Sequence, residues 1–331
     1  MKQTKVAVIG VGRIGKMHTE NIVYGMPDVA VKAVVDPIPQ NQWVEKLKIP
    51  IYTDDLNEVL NDGEIDAVII ATSSTAHVEL IQQCAAAGKH IFCEKPIAFL
   101  PEKVELAVKS AEKAGVKLQV GFNRRFDPNY QEVQKAVAAG KIGTPHIIRI
   151  TNRDPRRPSH EFLKHCGGFF LDFSIHDLDM ARYVTNDDII EVYAAGGVLI
   201  DPETAKFDDI DTAVITLKMA RGAFCLIDNS RETNYGYDQR LEVFGPGGNI
   251  FAGNIRDTSI QITTGTGNLQ APPIWDFMVR YKASFMNQMR EFINCVRNDT
   301  LPIVDGYDAV KAVTAAVAAK ESLKTNQPIK I

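Results

Sequence analysis

Short apolar runs alternate with amphipathic segments along the chain as far as Gly121. The runs predict buried strands at residues 6–9, 29–35, 67–71, 90–93 and 118–120. Between them, helical periodicity predicts helices near 14–24, 55–60, 76–87 and 102–114, and Gly88 and Gly115 follow the last two, where helices commonly end. Strands that are apolar throughout and alternate with helices predict a parallel sheet covered on both faces.

The pattern changes after Gly121. A helical pattern at 129–139 is followed by strand patterns at 189–199, 212–219, 223–229, 241–244 and 259–263, with turn sequences and no helices between them. Such a succession is typical of a largely antiparallel sheet. Helical patterns at 277–297 and 307–324 close the chain. We therefore predict an α/β protein of two domains, 1–121 and 122–331, whose last helix can pack back on the first domain.

Composition narrows the class of protein. The chain has 331 residues, of which 45% are hydrophobic and 24% charged, as is usual for a globular protein of two domains. The formal net charge of -4 gives no reason to expect a nucleic-acid partner. No apolar stretch approaches the ~18 residues of a membrane span, and the N-terminus shows no signal-peptide pattern. The five cysteines are scattered, without a CxxC pair, which favours a reducing, cytoplasmic location.

A glycine-rich turn follows the first predicted strand. The sequence VAVIGVGRIG places Gly10, Gly12 and Gly15 in GxGxxG spacing, with Arg13 and Ile14 inside the turn. The first glycine permits the tight turn, the second lets the backbone approach a pyrophosphate, and the third lets helix and strand pack closely. The phosphates would lie at the helix N-terminus, where N–H groups and the helix dipole favour negative charge. Because the motif opens a strand–helix–strand unit, it predicts a dinucleotide-binding domain.

Asp36 indicates which dinucleotide is bound. It stands at the end of the second predicted strand, where a carboxylate accepts hydrogen bonds from ribose hydroxyls. A carboxylate there would repel a 2′-phosphate, and Pro37-Ile38-Pro39-Gln40 supplies no Arg or Lys to bind one. The sequence therefore favours NAD over NADP. The alternative is that Asp36 is a solvated loop residue ahead of a proline.

Further candidates follow later strands. Thr72 comes after the third predicted strand, and Glu94 and Lys95 come after the fourth, in HIFCEKP. Ligands of open α/β sheets bind outside the carboxyl ends of the strands, so we assign these three residues to the cofactor site. Lys95 would then lie where the nicotinamide is expected. The alternative for Lys95 is an ordinary solvated loop lysine.

The segment 167–184 reads GGFFLDFSIHDLDMARYV and carries polar groups within an apolar helical pattern. Asp172 and His176 are four residues apart, so a helix would direct both side chains to the same side. Taken alone, the pair is compatible with a surface ion pair or a buried structural histidine. It is also compatible with an acid–base pair at an active site.

GxGxxG, EKP and GGFFLDFSIHD, in this order, resemble the Gfo/Idh/MocA oxidoreductases over essentially the whole chain. The resemblance implies a Rossmann domain that binds NAD, followed by an α/β domain with a large, mainly antiparallel open sheet that forms tetramers. It implies an active site between the domains, with Lys95, Asp172 and His176 as catalytic residues. It also implies a polyol substrate, with inositols as the first choice and other cyclitols or aldoses such as glucose as alternatives.

The implied reaction explains these residue types. Oxidation of a secondary alcohol requires a base that takes the hydroxyl proton as the hydride leaves, and histidine suits this task at neutral pH. We therefore assign His176 as the base. Asp172 would orient the ring or bind the sugar, and Lys95 would stabilise negative charge on the reacting oxygen. The hydride chemistry needs no metal, and the spacing of the histidines and cysteines fits no usual ligand set.

Other substrate contacts are implied less directly. Arg125 and Asp154 match positions that contact the polyol in similar enzymes, and each could equally be an ion-pair or turn residue. Tyr235 and Tyr237, in NYGYDQR, could line the polyol pocket or could equally pack within the sheet. A different class of function is a regulator that senses NAD(H) without turning over a substrate. Retention of Lys95, Asp172 and His176 together favours the enzyme.

Overall fold

The computed structural model describes residues 3–331 and divides the chain into two compact units. The first unit comprises the residues up to Phe126 together with Ser284–Val313, and the second comprises Asp127–Ala283 together with Thr314–Ile331. The first unit therefore takes in a late segment of the chain. Each unit has its own sheet.

The first unit contains a six-stranded sheet in the order β3-β2-β1-β4-β5-β6, and every pair in it is parallel. The strands are β1 (Thr4–Ile9), β2 (Val29–Val35), β3 (Ile51–Thr53), β4 (Ala67–Ile70), β5 (His90–Cys93) and β6 (Leu118–Val120). The helices are α1 (Arg13–Gly25), α2 (Asn41–Leu47), α3 (Asn57–Leu60), α4 (Ser74–Ala86) and α5 (Pro101–Ala114), and a 3-10 helix follows at Asn123–Phe126. The predicted parallel sheet is confirmed.

The strand order reverses between β1 and β4, so the carboxyl ends of these strands border the switch point at which open α/β sheets bind ligands. Two elements beside this region had no counterpart in the predicted set. They are α2 and the three-residue strand β3, which pairs with the end of β2. Both are too short to show a period of their own.

The second unit contains a seven-stranded sheet in the order β12-β11-β7-β10-β9-β8-β15. Its strands are β7 (Ile147–Arg153), β8 (Ile189–Gly197), β9 (Thr212–Met219), β10 (Phe224–Ser230), β11 (Asp238–Gly245), β12 (Gly248–Ala252) and β15 (Ile329–Lys330). Only the β10–β7 pair is parallel. The predicted large, mainly antiparallel open sheet is confirmed.

Helices lie before, within and after this strand series. They are α6 (Pro128–Ala138), α7 (His160–Leu163), a π-helix (Phe170–Ser174), α8 (Ile175–Thr185), a 3-10 helix (Pro202–Phe207), α9 (Phe277–Arg280), α10 (Lys282–Asn298) and α11 (Gly306–Thr325). The predicted helix at 277–297 is divided at Tyr281, whose φ of -107° and ψ of 18° leave the helical range. The Tyr281 side chain is buried and its hydroxyl bonds Gln239, so local packing overrides the continuous pattern.

The strand predicted at 259–263 does not join the large sheet. It corresponds to β13 (Gln261–Thr264), which pairs with β14 (Gly267–Gln270) in a separate two-stranded hairpin. Every residue of both strands is exposed. Alternating hydrophobicity predicted the strand, but it could not predict the partner.

The late segment supplies part of the first unit's core. Met289, Phe292 and Ile293 of α10 are buried in one cluster with residues of β1, β4 and β5, among them Phe92. These buried residues are spaced three and four positions after Met289, as expected for a helix with one buried face. None of the helices within residues 3–331 has the length and apolar character needed to cross a membrane.

Candidate active site

The glycine turn joins the end of β1 to α1 with the geometry that its three positions require. Gly10 has a φ of +84°, which favours glycine. A Cβ on Gly15 would lie 1.9 Å from the carbonyl oxygen of Gly10, so a side chain there would force the helix away from the strand. A Cβ on Gly12 would meet nothing within 4 Å. The backbone at the start of α1 therefore has open space in which a pyrophosphate can approach.

Asp36 ties the end of β2 to this turn. Its carboxylate accepts a hydrogen bond from the Val11 N–H at 2.7 Å and another from the Ile38 N–H at 2.8 Å. The residue is buried, which argues against the alternative of a solvated loop acid. An ionised carboxylate has about four acceptor positions, so it can still accept hydrogen bonds from a ribose. The residues present thus fit a dinucleotide without a 2′-phosphate.

Thr72 follows β4 and packs against the glycine turn. A Cβ on Gly10 would lie 2.7 Å from the Thr72 γ-methyl carbon. The backbone oxygens of Thr72 and Pro96 are bridged by the ring of His77 in α4, at 3.2 Å and 2.9 Å. Burial lowers the pKa of His77, which favours the neutral ring, and a neutral ring donates a hydrogen bond to one of these two oxygens. Sequence reasoning missed this buried link between the loops that follow β4 and β5.

Glu94 and Lys95 come directly after β5. The Glu94 carboxylate lies 2.7 Å from His18 Nε2, on the buried side of α1, and against the backbone of Gly121. His18 is fully buried and was also absent from the sequence-based site. Lys95 is half-buried, and the Lys95–Pro96 peptide bond is cis.

The segment that carries Asp172 and His176 begins as a π-helix and continues as α8. From Leu171 to Met180, these two are the half-buried residues, and the other eight are buried. Asp172 lies in the wider π-helical turn and His176 in the first turn of α8. The apolar side of the segment is thus packed inward while the Asp–His side stays accessible. π-Helical turns inside α-helices are frequent at functional sites.

A buried polar network fixes this segment on the large sheet. Asp177 Oδ2 accepts hydrogen bonds from the amide groups of Asn152 on β7, at 2.8 Å, and Asn229 on β10, at 2.9 Å. The Ser174 hydroxyl donates to Asn229 Oδ1 at 2.6 Å, and Gln239 of β11 donates to Asn152. Asp177 adjoins His176 in sequence, so the network sets the rotation of the helix about its own axis.

Asp172 is paired with an arginine that sequence reasoning did not assign to the site. Arg231, just after β10, places Nη1 2.8 Å from Asp172 Oδ2. Its guanidinium carbon lies 5.3 Å and 5.0 Å from the ring centroids of Phe169 and Phe173. Asp172 and Arg231 are 59 positions apart in sequence, and no local motif links them.

The predicted polyol contacts have different surroundings. Arg125 forms a two-pronged ion pair with Asp308, at 3.0 Å and 2.8 Å. Asp154 is half-buried directly after β7, and its backbone N–H donates a hydrogen bond to the Ser230 carbonyl oxygen. The Tyr235 hydroxyl lies 2.7 Å from Asp238. Tyr237 is buried edge-on against Tyr281.

The described residues, 3–331, include no group of three or more His, Cys, Asp or Glu side chains placed to hold a metal ion. All five cysteines are free and buried.

Comparison with known proteins agrees with this geometry. A family model described as an oxidoreductase family with an NAD-binding Rossmann fold matches residues 4–122, and the model of the GFO/IDH/MocA C-terminal domain matches residues 130–251. Together they cover well over half of the chain.

Full-length relatives have a common chemistry. The chain is 41% identical to myo-inositol 2-dehydrogenase of Thermotoga maritima, over 99% of this chain and 98% of that protein. It is 38% identical to inositol 2-dehydrogenase of Rhizobium meliloti, over 99% of both. Its identity to scyllo-inositol 2-dehydrogenase (NAD(+)) of Bacillus subtilis is 37%, over 99% of this chain and 96% of that protein.

Solved structures have the same fold. A myo-inositol dehydrogenase of Corynebacterium glutamicum matches with a TM-score of 0.93 at 33% identity, over 99% of both chains. Scyllo-inositol dehydrogenase of Lactobacillus casei, with bound NAD(H) and scyllo-inositol, matches with a TM-score of 0.92 at 27% identity, over 99% of both chains. The resemblance found in the motifs is confirmed, and the chain belongs to the Gfo/Idh/MocA family of NAD-dependent oxidoreductases.

Proposed function

We propose that this enzyme oxidises a ring hydroxyl of a cyclitol, with myo-inositol, converted at C2 to the 2-keto product, as the first choice. The observation that carries the proposal is the accessible Asp172–His176 pair on an otherwise buried segment, in a chain similar over its full length to inositol 2-dehydrogenases. Scyllo-inositol is the first alternative because a relative at 37% identity is named for it. Another cyclitol or an aldose such as glucose is the second.

The chemistry divides among three side chains. Bound NAD supplies the acceptor for the hydride. His176 takes the hydroxyl proton, because an alkoxide is too basic to form unaided at neutral pH. Asp172 orients the imidazole or accepts a hydrogen bond from a neighbouring hydroxyl of the ring. Lys95 stabilises the negative charge that builds on the reacting oxygen.

Binding roles follow the same division. For the cofactor, the glycine turn holds the pyrophosphate, Asp36 holds a ribose, and the loops after β4 and β5 border the nicotinamide. These positions are Gly10, Gly12, Arg13, Ile14, Gly15, Asp36, Thr72, Glu94 and Lys95. For the polyol, we propose Asp154, Tyr235 and Tyr237, together with Arg125. The ion pair of Arg125 with Asp308 supports a role in fixing the shape of the site as well as direct contact.

We further propose that residues 122–331 form the substrate-binding and oligomerisation domain of a cytoplasmic homotetramer. One face of the large sheet supports this assignment. Phe224 of β10, Ile147 of β7 and Phe244 of β11 lie side by side in register on the face away from the buried residues. Phe224 and Phe244 are 49% and 42% exposed, and Leu226 and Phe251 extend the apolar area. An exposed apolar surface of this kind marks a protein interface.

A panel of substrates tests the proposed function. With NAD+ and each of myo-inositol, scyllo-inositol, other cyclitols and glucose, NADH formation followed by its absorbance is expected to be fastest with an inositol. NADP+ is expected to be a poorer cofactor, because a 2′-phosphate would meet the Asp36 carboxylate. Turnover of glucose well above that of every cyclitol would contradict the choice of substrate. Absence of turnover with all of them would contradict the proposed activity.

Lys95 provides a second test. Lys95→Met is expected to lower kcat by about 10²–10³-fold, the usual loss when a group that stabilises an oxyanion is removed. The dissociation constant for NADH, measured by fluorescence titration, is expected to change far less. Lys103→Met, an exposed lysine on α5, is the matched control and should behave as wild type. Equal turnover by the two variants would remove Lys95 from the catalytic set.

A further inference from the structure

The guanidinium of Arg231 is a buried cation beside a proposed catalytic carboxylate. The exposed fraction of its side chain is 4%, and that of Asp172 is 17%. Arg231 therefore lies behind Asp172 and does not itself reach the accessible side of the segment. Its contact with Asp172 is a charge-assisted hydrogen bond of 2.8 Å, among the stronger polar contacts in proteins.

Two of the three guanidinium nitrogens of Arg231 make no hydrogen bond to the described residues. Its Nε and Nη2 atoms are buried and have no hydrogen-bond partner among residues 3–331. Phe169 and Phe173 lie against the guanidinium and offer ring faces but no acceptors. A buried cation with unpaired N–H groups is costly, and replacing a whole buried ion pair with apolar side chains often leaves stability unchanged or improves it. A contribution to stability alone therefore does not explain an arginine at this position.

The neighbouring charges indicate what the cation does. Asp172, Asp154 and Asp209 all act to raise the pKa of Arg231, against the opposing effect of its burial. Asp209 is a half-buried carboxyl whose pKa is raised by burial, and the charge of Asp172 adds to that increase. Burial raises the pKa of the Cys166 thiol, and the charge of Asp172 adds to that increase. Arg231 donates a hydrogen bond to Asp172 Oδ2, and a cation in hydrogen-bond contact favours the ionised form of a carboxyl.

We infer that Arg231 is the positioning residue for Asp172: it keeps that carboxylate ionised and holds it in the orientation needed to act on His176 or on a substrate hydroxyl. The inference rests on the proposed function, because that proposal gives Asp172 its task. Arg231 itself touches neither cofactor nor substrate in this assignment.

A double-mutant cycle tests the inference. Arg231→Met is expected to lower kcat by about 10–100-fold, the usual cost of removing a partner that orients a functional ligand, with little change in NADH binding. In the Asp172→Asn background, the same change is expected to cost less than about threefold, because the group that Arg231 acts upon has already lost its charge. Multiplicative losses would indicate a general structural role and overturn the inference. Arg156→Met, an exposed arginine, is the matched control.

A conservative variant tests whether the charge at this position matters. Arg231→Lys restores the charge and is expected to retain more turnover than Arg231→Met. If Arg231→Met does not fold, as judged by circular dichroism, the cycle is run with Arg231→Lys. Loss of turnover that is the same in both single variants would show that charge is irrelevant and would overturn the inference.

A measurement on the resting enzyme separates this inference from the proposed function. The Asp172 carboxyl carbon, identified by its disappearance in Asp172→Asn, is followed by carbon NMR against pH in wild type and in the Arg231 variants. Removal of a cation in hydrogen-bond contact is expected to move its titration up by about one unit or more. An unchanged titration would overturn the inference whatever the substrate. Failure of the wild type to oxidise any polyol would overturn the proposed function and leave this titration to decide the role of Arg231.

Discussion

His176→Ala is expected to reduce kcat by about 10²–10⁴-fold, the usual contribution of a positioned general base. The base takes the hydroxyl proton as the hydride leaves the ring carbon, and neither Lys95 nor Asp172, which is paired with Arg231, is assigned to take that proton. NADH formation at saturating polyol and NAD+ measures the effect. The expected loss is chemical, because His176 lies on the accessible side of a segment whose other side is buried.

Two controls separate this loss from misfolding. His165→Ala removes a histidine whose side chain is 74% exposed, and it should retain full turnover. The His176→Ala protein should bind NADH with wild-type affinity, because the proposed cofactor residues lie in the first unit of the fold. Undiminished turnover in His176→Ala would refute the assigned base. It would also restore the alternative of a sensor in which the histidine is structural.

The parts of the site that were predictable depend on local sequence. The glycine turn is encoded within six residues, because a positive φ at Gly10 and a missing side chain at Gly15 are requirements of single positions. Asp36 and Lys95 were placed by the rule that parallel strands present their carboxyl ends to the ligand. The prediction that Asp172 and His176 share one side of a helix followed from helical periodicity, and they are the two half-buried residues of an otherwise buried stretch that begins in a π-helical turn.

The parts that were missed depend on contacts between distant segments. Arg231 meets Asp172 because the segment that carries Asp172 is anchored on β10 by the hydrogen bond from Ser174 to Asn229, and nothing near Arg231 in the sequence encodes that neighbour. His18 bonds Glu94 across 76 positions. The strand predicted at 259–263 was assigned to the wrong sheet for the same reason. A strand pattern does not identify its partner, and β13 pairs with β14 in a separate hairpin. Periodicity predicts elements well, and pairings follow only once the topology is known.

The anchor of the catalytic segment gives the largest expected effect on stability. Asp177→Ala is expected to lower the free energy of unfolding by about 3–5 kcal/mol, because it removes the charged acceptor of two buried hydrogen bonds. The amides of Asn152 and Asn229 would be left in a site with no access to water. Urea unfolding followed by circular dichroism measures the change.

The matched variant is Asp177→Asn, whose carboxamide oxygen can still accept from the two asparagines. It is expected to lose only about 1–2 kcal/mol, since neutral acceptors form weaker bonds than charged ones. Asp257→Ala, at an exposed loop position, should be neutral. Equal stability of Asp177→Ala and wild type would show that the network does not hold the segment. In that case the orientation of Asp172 and His176 would have to come from apolar packing and from Arg231, and the Arg231 variants would then be expected to lose stability as well as turnover.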